Sequence, residues 1–248
     1  MDSSEESRRK PTIEDQESRV RNQTLRAQSE VVSILDHLGN CLIDGFNSLG
    51  GKFDRSKENR LLYAWLLLLA RSTQSWVCAR RLALSGYYSQ AITLIRTMTE
   101  DYLVACDCER NDATLDRVLG DCARRDDSRK LWNFKEMATR SGEQDFVYAI
   151  DYACQSSFAH PDRSLRALVS LQHGGLVTAP EYDDLLFLSC CELNLRATLL
   201  TLDVMRRLLA RATPDGFEAW HRVTAEREQR ALHWYDTTRT RFSENNSS

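Results

Sequence analysis

The sequence predicts an all-α protein folded as an antiparallel helical bundle. Turn residues are scarce, with 10 Gly and 4 Pro in 248 residues, too few for the many turns of an all-β fold. Apolar residues recur at helical spacing over long stretches. Gly and Pro fall where those stretches stop. One place near 163–180 departs from the pattern. There the strings ALVSL and LVTA flank Gln172-His173-Gly174-Gly175, which fits either a small β-hairpin or an irregular loop with a helical turn.

Residues 1–16 are charged, Ser-rich and without period, and read as a disordered tail, as do 243–248. The span 17–242 reads as a single helical bundle domain. Its first helix, about Glu17–Leu49, carries the stripe Val31, Leu35, Leu38, Leu42, Phe46, Leu49 and stops at Gly50-Gly51. The second, about Ser56–Ser85, ends at Gly86, and a third begins at once near Ser89 and runs to about Arg110. Such a short link predicts a tight antiparallel pair. Shorter helical pieces follow at about Asn111–Arg125 and around Leu131–Met137. Another, about Glu143–Ala159, carries Phe146, Ile150, Ala153 and Ser157 in line and ends before Pro161. A Leu-rich helix then spans about Glu181–Ala212. Thr213-Pro214 reads as N-cap and first residue of the last helix. No repeat of 20–50 residues is present, which excludes a solenoid.

Composition narrows the function classes. Net charge is −3 and the pI about 6.0, whereas domains that bind nucleic acid through phosphate contacts are usually basic. The first residues lack the apolar core of a secretory leader, so a cytoplasmic protein is expected. The longest apolar run, Leu61–Ala70, is half of a membrane span and reads as a buried core helix. The 8 Cys show no C-x-x-C spacing, and most fall on apolar helix positions as small hydrophobes. No metal and no cofactor are expected. There is no P-loop, no G-x-G-x-x-G, no di-iron E-x-x-H pairs and no G-x-S-x-G elbow.

Polar residues sit inside the apolar pattern in one region. Arg96 lies in the row Ile92, Arg96, Thr99, Leu103, and Glu100 follows it at i+4 on a helix that is apolar on nearly all sides. A buried charge needs a partner. Two readings stay open: an internal salt bridge that fixes packing register, or an Arg96 that points into a cleft and holds an anion. The segment Gln155-Ser156-Ser157-Phe158-Ala159-His160-Pro161 places Ser157 on the core face and His160 at a helix C-terminus. His160 either caps the last carbonyls or serves as a general acid/base near neutral pH.

The Arg-Thr-Met-Thr-Glu helix followed by a helix ending Ser-Ser-Phe-Ala-His-Pro resembles a group of uncharacterised bacterial helical proteins, a domain of unknown function. The resemblance covers about Leu61–Pro180. It implies site positions at Arg96, Glu100, Ser156 or Ser157, and His160, and brings no established activity with it. The chain also distantly resembles the HEPN helical bundles, which include metal-independent ribonucleases with Arg, four to six residues, then His on one helix. Two such spacings occur, Arg166 to His173 and Arg227 to His233. Roughly 1.7 are expected by chance in a chain with 28 Arg and 5 His among 248 residues. His160 has no Arg at that spacing.

The function expected from all this is a helical binding or scaffold module with a polar Arg/Glu/His cluster. A homodimer through helical faces is a further expectation, because the Glu181–Ala212 helix is apolar on more than one side. The alternative is a HEPN-like nucleotide-binding protein or ribonuclease, in defence or stress response.

Overall fold

The computed structural model of the chain describes residues 11–49, 59–121, 132–152, 155, 171–172, 175–176 and 180–245. Its architecture is an all-α bundle.

Helix α1 (Ile13–Ala27) starts four residues earlier than periodicity suggests. The reason is a capping box. Thr12 Oγ1 accepts from the Asp15 backbone N–H at 3.2 Å, and the Asp15 carboxylate accepts from the Thr12 N–H at 2.9 Å. The apparent tail therefore becomes helical from Ile13. The chain breaks at Gln28, and α2 (Ser29–Leu49) follows as a separate helix. On α2 the expected stripe is buried at Val31, Leu35, Leu38, Leu42 and Leu49. Its glycines permit close approach. A Cβ on Gly39 would sit 2.0 Å from the Trp76 ring, and one on Gly45 would sit 2.8 Å from Met205.

α3 (Arg60–Leu84) and α4 (Tyr88–Cys108) form the expected antiparallel hairpin. The Leu61–Ala70 run is a core helix segment. Ala64, Trp65, Leu68 and Leu69 are buried, and the Trp65 indole donates to the Ala105 carbonyl at 3.0 Å. Gly86 closes α3 at φ +85°, with the Glu181 backbone where its Cβ would be. This turn anchors two distant segments. Arg21 donates to Ser85 Oγ at 3.0 Å, and Tyr87 Oη donates to Glu17 at 2.9 Å. Tyr88 Oη accepts from the Asp183 N–H at 3.2 Å. Gln28 adds a hydrogen bond to Asp184 at 2.5 Å. α1 itself buries only Val20 and Thr24.

Two short helices follow, α5 (Asp112–Leu119) and α6 (Phe134–Ser141), each capped at its start by an asparagine, Asn111 and Asn133. The next segment, Gln144–Tyr152, is wound as a π-helix rather than the expected α-helix. The Glu143 carbonyl accepts from both the Val147 and Tyr148 N–H groups, at 3.1 and 3.0 Å, so the winding opens at its first turn. Near 163–180 the hairpin alternative is realised in minimal form. β1 (Leu171–Gln172) and β2 (Gly175–Leu176) pair antiparallel, Leu171 with Leu176 and Gln172 with Gly175.

α7 (Asp184–Ala212) is the central helix. Asp183 caps it, accepting from the Leu186 N–H at 2.8 Å. It is the one described helix that is long and apolar enough to cross a membrane, and half of its apolar window is buried. α2, α3, α4 and α8 (Pro214–Asn245) all pack on it. Several of its apolar faces are thus covered by neighbouring helices within the chain. α8 starts as expected, with the Thr213 carbonyl accepting the first helical N–H groups. It stays helical to Asn245, past residue 242, where the sequence suggested a tail.

Candidate functional site

α4 and α7 run parallel. Tyr88 meets Phe187 edge-on at 6.3 Å near their starts, and Arg207 meets Glu109 at 3.3 Å near their ends. The π-helix runs antiparallel to α4, with Tyr102 Oη donating to Glu143 at 2.9 Å at one end and Arg96 meeting Tyr152 at the other. This arrangement brings Arg96, Arg196 and the last residues of the π-helix to one level of the bundle.

Arg96 and Glu100 are paired as expected. Arg96 Nε donates to Glu100 Oε1 at 2.9 Å, and the two side chains are 17% and 21% exposed. Arg96 Nη2 donates to Tyr152 Oη at 2.8 Å, and the guanidinium carbon lies 4.8 Å from the centre of the Tyr152 ring. Tyr152 stacks on Tyr148 at 5.2 Å and 19° and leans on Phe134 at 5.3 Å. Residues four apart on the π-helix thus share a face and present rings to the end of α6. Burial pushes the Glu100 carboxyl above its ordinary value, although Arg96 pulls it down.

The next residue, Asp101, faces α3 instead. It is 2% exposed and accepts from Arg71 Nε at 2.8 Å and Ser72 Oγ at 2.9 Å. Burial raises its carboxyl too. A small space beside Asp101, lined also by Ser72, Tyr102 and Thr201, has room for about one water molecule.

A second arginine holds the π-helix from the other side. Arg196 of α7 donates to the buried Asp151 carboxylate through Nε, and to Tyr235 Oη of α8 through Nη1 at 3.1 Å. Burial raises the Asp151 carboxyl against the pull of Arg196. Arg96 and Arg196 therefore clasp consecutive residues, Tyr152 and Asp151. Sequence reasoning missed Asp151, Tyr152, Arg196 and Tyr235 as site members. The signal that exposed Arg96 was available for Arg196 as well, a charge with apolar neighbours on a Leu-rich helix.

Ser156, Ser157 and His160 lie outside the described residues, as do Arg166 and His173. Both members of the remaining ribonuclease-like spacing, Arg227 and His233, are described. Arg227 Nη1 donates to the His37 carbonyl at 3.2 Å and to Cys41 Sγ at 3.3 Å, tying α8 to α2. His233 is exposed. Six residues turn an α-helix by about 600°, which leaves the two side chains roughly 120° apart around its axis.

The thiols lie in apolar surroundings. Burial pushes Cys106 up to about 11 and Cys108 and Cys190 up to about 12, so they stay protonated at neutral pH. Among the described residues no three His, Cys, Asp or Glu side chains are grouped as for a metal ion. Many of the bundle's arginines are matched by carboxylates. Arg140 reaches the fully buried Asp107 with two bonds of 2.8 Å, and Arg206 reaches Glu228 with two of 2.7 Å. Arg60, Arg80, Arg207 and Arg211 are paired in the same way. Comparison of the chain with protein-family models, with curated proteins and with solved structures found no match.

Proposed function

We propose that this chain is a non-enzymatic helical binding module whose ligand-facing element is the π-helix. The observation that carries this reading is the state of Arg96. Its guanidinium is committed to Glu100 and Tyr152 and stacked on a ring, so it fixes the π-helix instead of awaiting an anion. Arg196 does the same through Asp151. A helix winding that departs from the α form is commonly found at functional sites, and here arginines on two separate helices hold it in place, Arg196 through an ion pair with Asp151 and Arg96 through a hydrogen bond to Tyr152. A ribonuclease would need a cation available to a phosphate and a titrating base beside it. Arg96 and Arg196 are each neutralised by a carboxylate.

RNA cleavage by the purified full chain is the test. The reading expects no cleavage above that of a His160→Ala variant. Cleavage that disappears in His160→Ala would replace this reading with the HEPN-like one.

A further inference from the structure

The π-helix Gln144–Tyr152 is 9 residues long, whereas π winding is found mostly as single turns inside α-helices. The sequence over 143–159 carries an apolar stripe at α spacing. Both windings meet at one atom. The Glu143 carbonyl accepts from the Val147 N–H, the α pattern, at 3.1 Å and from the Tyr148 N–H, the π pattern, at 3.0 Å. Backbone bonding at this turn serves either winding, so the choice falls to what holds the far end.

The far end is held by Arg196 on Asp151 and by Arg96 on Tyr152. An α-helix has about 3.6 residues per turn and a π-helix roughly 4.4. From the buried Val147, the steps to Tyr152 turn about 500° in the α form and roughly 410° in the π form. Asp151, one step nearer, reaches about 400° in the α form. Rewinding therefore moves the end by one register and turns Asp151 to where Tyr152 now points, toward Arg96. Arg96 already holds Glu100. Arg196, 25% exposed, loses its carboxylate in that register. The other polar and charged groups around the segment are occupied or exposed. Tyr235 of α8 bonds the same Arg196 guanidinium. On α6, Arg140 is paired with Asp107, and Lys135 and Glu136 are exposed. The charge on Asp151 thus favours the π winding, and an uncharged Asp151 removes that preference.

We propose that residues 144–152 are a two-register segment in which the ion pair between Asp151 and Arg196 selects the π winding, and which rewinds to the α form when Asp151 loses its charge. In the α register Asp151 lies beside Glu100 and away from Arg196, so a proton binds it more tightly there and acid drives the segment toward that register. Burial already raises the Asp151 carboxyl in the π form. The switch gives the ligand-facing element a regulated shape, and it rests on the binding-module reading for its purpose.

The test is the contact between the Tyr152 and Phe134 rings, whose centroids are 5.3 Å apart. It is read as a nuclear Overhauser cross-peak in the full chain with labelled tyrosine and phenylalanine. The parent chain is expected to show it at neutral pH and to lose it progressively in acid. Asp151→Asn and Arg196→Gln are expected to lose it at neutral pH. Deletion of the exposed Ala149 is the control. Val147 and Tyr152 are then separated by about 400° of α winding, close to the roughly 410° of the present π winding, so both arginine contacts survive in the α form. The deletion is expected to fold, to keep the cross-peak in acid, and to keep it when combined with Asp151→Asn. A cross-peak that survives in Asp151→Asn and Arg196→Gln overturns the proposal. Its loss in the combined variant does so too, because Asp151 is then an anchor with no second register behind it. An Ala149 deletion that does not fold also overturns it, since one register of α winding accommodates that deletion. If both single substitutions fail to fold, the acid titration decides, and a parent cross-peak that persists until the chain unfolds overturns the proposal. Each of these failures leaves the binding-module reading standing. RNA cleavage lost in His160→Ala would remove that reading without moving the cross-peak.

Discussion

Arg96→Met removes the guanidinium and keeps most of the side-chain volume, so its cost measures what the charge does for the π-helix. Two bonds disappear, at 2.9 Å to Glu100 and 2.8 Å to Tyr152. A hydrogen bond to a charged group contributes about 1.5–3 kcal/mol. Breaking a fully buried ion pair from one side costs about 3–5 kcal/mol. At 17% and 21% exposure this pair is mostly but not fully sealed, which sets the expected loss at roughly 2–4 kcal/mol. Most of that loss comes from leaving Glu100 charged and alone. The double variant Arg96→Met/Glu100→Gln should therefore lose less than the single one, by at least about 1 kcal/mol. The pH dependence has a definite sign. Burial already raises the folded Glu100 carboxyl above its ordinary value of 4.5, and without Arg96 it rises further. The penalty is full above that raised value and is relieved as pH falls through it. The assay is urea unfolding of the three proteins between pH 7 and 4, with hydrogen exchange of residues 144–152 as the local readout. A loss under about 0.5 kcal/mol in the single variant, with no recovery in the double, would refute an internal lock, because exposed pairs behave that way.

Two neighbouring acids on α4 should respond to pH with opposite signs. Burial pushes Asp107 up, but hydrogen bonds from Arg140, Thr114 and Asn111 outweigh it and leave the carboxyl lowered. Its contribution is present above the ordinary value of 3.8 and is lost as pH falls through the depressed one, so the stability gap between the parent chain and Asp107→Asn should narrow in acid. Asp101 is raised by burial, so the parent chain should gain on Asp101→Asn as pH falls toward 3.8; denaturant midpoints across that range decide both. Gly39→Ala drives a methyl into the Trp76 ring and should cost about 1–3 kcal/mol or more by urea unfolding. Gly216→Ala, with open space in the first turn of α8, should be stabilising by up to about 1 kcal/mol in the same assay, and equal effects at the two glycines would contradict the packing described.

The helical architecture was legible because its signals are local. Gly86, Asn111 and Thr213-Pro214 mark helix ends through backbone chemistry that needs no distant partner. The Arg96/Glu100 pair was legible for the same reason, since two residues on one helix share a face by spacing alone. The Thr12 capping box was equally local but lay inside a polar stretch that composition labelled a tail. The π winding left no trace, because residues 143–152 fit an α-helical stripe and the choice is made by packing against α4 and α6. The ion pair from Arg196 to Asp151 spans 45 positions, and pairing over that distance follows from helix arrangement. α7 shows the converse. Its apolar faces were legible, but the four helices that cover them within the chain were not, because a sequence does not show how many neighbours a helix has.

The turn at Ser85–Tyr88 sets an order of events during synthesis. α1 is made first, yet it buries only Val20 and Thr24 and rests on Ser85 and Tyr87. Its last fastening, Gln28 to Asp184, waits for a residue 156 positions later. α1 therefore leaves the ribosome well before the turn and the helix that fasten it, and loop closure over that distance makes its final docking slow. Until α3 and the Gly86 turn emerge, Val20 of α1 remains open to chaperones and proteases.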